Sequence, residues 1–228
     1  MKAEPLKTES LKTLFFVGSD PVVLRADGSV SFVGELTIDA DGARNCYGPA
    51  GTKPLDYLAN AGRPGNWWGI ATDTGKPSGM PLVQGQCDPF PGYYISTTAY
   101  KVPGFRNGDP RRELDSAQVA FIVVPRRLID AVPGIVIGCR ARVTDTRTKK
   151  SVDAAVGDSG PNNHLGEASM ATAEGLGIPN DPKHGGSDDR RFLYELWPGI
   201  AAPGFTLQAK FSKAQVAVLA SVGRAVYA

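Results

Sequence analysis

Histidine is almost missing from this chain: only His164 and His184 occur, and neither sits at ligand spacing from a cysteine, which argues against a zinc site. Cysteine is scarce too. Cys46, Cys87 and Cys139 make an odd set with no CxxC pair, weak grounds for any redox compartment, and Cys46–Cys87 is the first pair to check for a disulfide. No apolar run approaches a membrane-spanning length, so no membrane partner is expected. The opening run Leu14–Val17 is too short for the core of a signal peptide. The formal net charge is only +2 and no block of five Lys or Arg occurs, which removes the usual footprint of nucleic-acid binding. The doublets Arg126-Arg127, Lys149-Lys150 and Arg190-Arg191 read as solvated turn ends. Phosphate-binding glycine loops are missing, as are repeats and low-complexity tracts.

What is present is ordinary globular composition with abundant punctuation. Apolar residues make up 42% and charged residues 21%, with Gly 27 and Pro 18 scattered between apolar runs. That pattern predicts many short strands joined by tight turns in one domain, mainly β with one or two helices. Strands are expected at Leu14–Val17, Val22–Arg25, Ser29–Ile38, Gly92–Thr98, Val119–Val124, Ile135–Thr144, Val152–Val156 and Phe192–Leu196. Helices are expected at Glu167–Leu176, closed by Gly177, and at Lys213–Val226; a helical turn starts near Leu55 and breaks at Gly62. Residues 1 to 13 read as a loose lead-in.

The chemistry concentrates in VGDSGPNNHLGEASMATAEGLG, Val156 to Gly177. Asp158 and Glu167 bracket a Gly-, Asn- and Pro-rich turn between a strand and the expected helix. Two carboxylates in one cleft are what glycosidic hydrolysis needs: one protonates the leaving oxygen, the other activates water or attacks the sugar. A helix start would hold Glu167 charged, so burial or Asp158 would have to raise its pKa for it to act as an acid. The string Gly157–Gly160 imitates a serine-protease nucleophile motif, but no histidine precedes it. Asp39 and Asp41 follow a strand end, where Asp41-Gly42 suits a turn; a metal role there lacks the rest of a calcium loop. Adjacent Trp67 and Trp68 would face opposite ways on a strand, leaving one free to stack on a sugar. Arg111, Arg112, Glu113 and Asp115 form either a surface salt-bridge set or a support for a catalytic acid.

Five stretches in order carry a resemblance: IDADGARNCYGP (38–49), LDYLANAGRPGNWWGIATD (55–73), DPFPGYYISTT (88–98), GDPRRELDSAQVAFIVVP (108–125) and VGDSGPNNHLGEASMATAEGLGI (156–178). Together they resemble the fungal-type chitosanases, glycoside hydrolase family 75, which also have bacterial members. The resemblance covers Ile38 to Gly199 and implies an endo-acting, inverting hydrolase of β-1,4-linked glucosamine polymers, working without metal or cofactor. It implies a double-psi β-barrel-like core and carries the two essential carboxylates onto Asp158 and Glu167. Ser159 and Ala168 stand where the family has Val and Gly. Trp67, Trp68, Tyr93 and Tyr94 are candidate sugar contacts, and Asp39, Asp41, Asp73 and Asp115 are candidates to line an acidic cleft for a cationic polymer, with Asp39 or Asp41 as the base should Asp158 stand too close to Glu167 to admit a water. A polysaccharide-binding, extracellular monomer is expected, although no signal peptide is visible. The domain plan is 1–37 as lead-in and first strands, 38–199 as catalytic domain, and 200–228 as an extension packed on it. A peptidoglycan-cleaving effector and a carbohydrate-binding barrel without activity are the rival readings.

Overall fold

The computed structural model describes residues 11–208; the expected helix Lys213–Val226 and most of the lead-in lie outside the described residues. Alternating apolar residues build the strands β1 (Lys12–Val17), β2 (Asp20–Leu24) and β3 (Val30–Asp39). An irregular layer, residues 40 to 120, follows. It contains a 3-10 turn at Leu58–Ala61, the short ladder β4 (Gly62–Arg63) with β5 (Asn66–Trp67), and a 3-10 turn at Pro110–Arg112. The chain then returns to regular structure with β6 (Phe121–Pro125), α1 (Arg126–Ala131), β7 (Cys139–Asp145) and β8 (Ser151–Gly160). It ends in β9 (Glu167–Ser169), α2 (Met170–Leu176) and β10 (Ser187–Ala201).

Six strands close on themselves in the order β3-β10-β7-β8-β6-β9, and the β3–β9 pairing shuts the ring. β1 and β2 extend the sheet outward from β3. The pairings β3–β9 and β6–β8 are parallel, and the other four in the ring are antiparallel. The described residues are therefore mainly β, as the punctuation suggests, with a closed barrel core and two helices. Period-2 side chains fill the interior: Phe32, Leu36, Ile122, Val124, Val143, Val156, Tyr194 and Leu196 belong to one buried cluster. Each such burial contributes about 1.5–3 kcal/mol. Phe32 stacks on Tyr194 with ring centroids 4.8 Å apart, and the Tyr194 hydroxyl donates to the Glu35 carbonyl at 2.9 Å, so the polar tip is satisfied.

Several boundaries differ from expectation for physical reasons. Glu167 is not helical: Glu167–Ser169 is a strand held between Thr37–Asp39 and β6, and the helix begins only at Met170. Ser169 sets that boundary as the N-cap, its side chain accepting from the Thr172 amide. Gly92–Thr98 forms no continuous strand; isolated bridges at Tyr94 and Ser96 tie it to Val83 and Ile70. Arg126-Arg127 opens α1, whose N-cap position is held by Pro125 without a side-chain hydrogen bond, and Arg190-Arg191 lies within β10 rather than at a turn end. Arg190 pairs with Asp20, and Arg191 with Asp145 and Asp189. Cys46 and Cys139 are buried, Cys87 is exposed, and all three are free thiols, so the pair Cys46–Cys87 is not a disulfide.

Candidate active site

One face of the barrel wall carries the chemistry. Val123 on β6 is paired with Asp158 of β8 on one side and with Glu167 of β9 on the other. Residues on one rung point to the same face, so both carboxylates project beside Val123, away from the interior that holds Ile122 and Val124. Two strand spacings place the Cα atoms of Asp158 and Glu167 roughly 9–10 Å apart. Thr37 pairs with Glu167, and Asp39, two residues further along β3, shares the face.

A β-bulge decides where Asp158 points. Ile122 pairs with Val156, but Val123 pairs with Asp158, so Gly157 is the extra residue. In a regular register Gly157 would pair with Val123, and Asp158 would pair with Val124 and face the interior. Gly157 is compelled by space: a Cβ there would lie 2.5 Å from Phe121 Cγ. Gly166 does similar work before Glu167. Its φ of 101° lies in the left-handed region, and a Cβ would meet the Glu35 carbonyl oxygen at 2.5 Å.

The irregular layer roofs this face and leaves a cleft of about 860 Å³. Its lining brings together Asp39, Asp41, Asp158 and Glu167 with Asn60, Trp68, Thr97, Thr98, Ala99 and Arg126. Burial pushes all four carboxyl groups above their ordinary values, and their mutual repulsion adds to this for the three aspartates. Their hydrogen bonds separate them. Asp158 Oδ1 accepts from the Ala99 amide at 3.0 Å and the Ser159 amide at 2.6 Å, both of which favour the ionised form. Asp41 Oδ1 accepts from the Tyr47 hydroxyl at 2.7 Å and Ser96 Oγ at 3.1 Å, and Asp39 Oδ1 accepts from the Asp41 amide at 2.7 Å. The Glu167 carboxylate has no hydrogen-bond donor among the described residues. Burial is the largest influence on it and raises its pKa, while His164 pulls the other way. The strand position also removes the helix dipole as an opposing influence, since Glu167 precedes the N-cap of α2.

Trp67 and Trp68 part as adjacent strand residues do: Trp67 is buried in a second cluster with Tyr47, Ile70 and Met170. Trp68 is 60% exposed at the cleft, anchored by its indole N–H donating to the Asn60 carbonyl at 2.7 Å. Besides Trp67, four expected residues are not brought to the cleft. Tyr94 packs against the second cluster, and Tyr93 accepts from the Lys53 amide and meets Phe90 edge-on. Asp115 is buried against Arg44 at 3.6 Å, and Asp73 is exposed and caps the Met80 amide. The charged set around it is structural: Arg111 pairs with Asp109 and Lys101 with Glu113. Asn60, Thr97, Thr98 and Ala99 are lining residues that the sequence does not announce, because they are ordinary residues remote from the carboxylates along the chain, and Arg126 is read there only as part of a solvated doublet. Among the described residues no group of three or more His, Cys, Asp and Glu is set to hold a metal ion. No family model matches the chain, and no curated protein matches it.

Proposed function

We propose that the protein is a glycoside hydrolase that cuts β-1,4 linkages within glucosamine-containing chains, chitosan first, with inversion. The observation that carries this reading is the shared rung: Asp158 and Glu167 flank Val123 on one face, inside one cleft. Glu167, buried and without a donor, is the general acid that hands its proton to the glycosidic oxygen as the anomeric C–O bond breaks. Asp158, whose two amide donors offset part of the upward push of burial, is the base that takes a proton from water attacking the anomeric carbon from the opposite side. Inversion needs roughly 6.5–9.5 Å between the carboxyl groups to admit that water, and a rung that sets one strand between the two residues is compatible with such a gap. The remaining acids, Asp39 and Asp41, add two further carboxyl groups to the floor of the cleft, and an ammonium group of a glucosamine polymer lodged beside them would favour their ionised form. The exposed indole of Trp68 offers an apolar platform for a sugar ring.

An assay of new reducing ends on soluble chitosan, chitin oligosaccharides and purified peptidoglycan tests the reading. Chitosan is expected to release reducing ends with an early fall in viscosity, the mark of internal cuts. Release from peptidoglycan alone would favour the peptidoglycan-cleaving reading, and release from none would leave a carbohydrate-binding barrel.

A further inference from the structure

The cleft does not end at Trp68. Trp68 and Thr97 also line a second cavity of about 420 Å³, so the two share a wall and make one groove that passes the indole. The charge reverses along it. The catalytic pair stands with two further acids, Asp39 and Asp41, and Arg126; beyond Trp68 stand Lys76, Lys101 and Arg112 against one acid, Glu113. Glu113 is buried and already committed, accepting from the Thr98 amide at 2.9 Å and pairing with Lys101 Nζ at 2.5 Å. Arg112 donates to the neutral Asn107 side chain at 2.9 Å, which leaves its charge uncompensated. Lys76 has no side-chain hydrogen bond or ion pair among the described residues. The far end of the groove thus holds two surplus cations.

An ammonium group lodged there would meet like charge, whereas a carboxylate would be bound by an ammonium and a planar guanidinium together. We infer that the pocket of Lys76 and Arg112 is a subsite for a carboxylate carried by the glycan, on the sugar that follows the one stacked on Trp68. This rests on the glycosidase reading and adds to it a substrate class: hexosamine chains that bear a carboxylate at that sugar bind better than the plain glucosamine polymer. The carboxylate can be part of the ring, as in a uronic acid, or sit on a lactyl ether substituent.

Calorimetric binding to the full chain, with Glu167→Gln in every sample to stop turnover, separates these sources. The probes are two tetrasaccharides, one with ring carboxylates and one with lactyl ether carboxylates, each beside its methyl ester. At least one acid is expected to bind about tenfold tighter than its ester, and the acid that does so names the source. Adding Lys76→Glu and Arg112→Gln is expected to erase that difference while ester affinity changes less than about twofold. Lys76→Glu alone, at an exposed site that folding does not need, is expected to erase most of it. Equal binding of acid and ester for both probes overturns the subsite, even if wild-type protein cleaves chitosan. An acid preference abolished by Lys76→Glu, in a protein whose wild type cleaves no glycan, upholds the subsite and sinks the hydrolase reading instead.

Discussion

Glu167→Gln is expected to lower turnover on chitosan by about 10²–10⁴-fold with little change in KM, because it removes a proton transfer and leaves the shape of the cleft. The pH profile gives the result its specificity. Activity needs Glu167 protonated and Asp158 ionised, so the wild type should show a bell whose alkaline limb reports the raised titration of the acid. The residual activity of the variant should lose that limb. Stability should move the other way. A carboxyl group that binds its proton more tightly folded than unfolded stabilises the fold fully below its unfolded pKa. That contribution is lost as pH rises through the folded pKa. At neutral pH the buried Glu167 is therefore a burden, and Glu167→Gln should match or exceed the wild type in thermal melting. Near-normal turnover would remove Glu167 from the acid role; a collapsed melting temperature would mean that its part is structural.

The second large effect is expected at Gly157, which carries no chemistry. Gly157→Ala places a Cβ 2.5 Å from Phe121 Cγ and 2.6 Å from Phe121 Cβ, and Phe121 is fully buried on β6. Phe121 Cβ is fixed to the strand, so the strain cannot be relieved by a side-chain rotation alone. Overpacking of this kind costs about 3 kcal/mol, and the melting temperature should fall by roughly 6–12 °C. Turnover should fall too, since any shift of the bulge moves Asp158 off the rung it shares with Glu167. Unchanged melting and unchanged turnover in Gly157→Ala would show that β8 does not carry the bulge that aims Asp158.

These two residues also mark what could be read from the sequence. Asp158 and Glu167 are legible as a pair because they bracket a turn dense in Gly, Asn and Pro. The closed barrel follows from alternating strands and the resemblance to a barrel family. The position of Glu167 was not legible. Glu-Ala-Ser is too short to show a period of its own, and it runs into a helix whose small residues continue the same pattern; Ser169 as N-cap is the signal that separates them. The layer from residue 40 to 120 is nearly opaque, because its order comes from partners far apart in the chain. Asp41 is held by Ser96, and Asp158 by the Ala99 amide. Tyr93, Tyr94 and Asp115 look like ligand contacts when aromatics and acids are counted, but packing and ion pairing claim them first. Arg126, Lys76 and Arg112 are far apart in the chain, and only the folded groove assembles them.

The stereochemistry of the first products tests the paired roles of Asp158 and Glu167 most directly. Proton NMR of chitosan oligosaccharides in the first minutes of cleavage distinguishes the new anomeric signals before they equilibrate. Acid and base acting from opposite faces should deliver the α-anomer first, with the β-anomer growing in only by mutarotation. Initial appearance of the β-anomer would contradict a single displacement by water and the division of labour between Asp158 and Glu167.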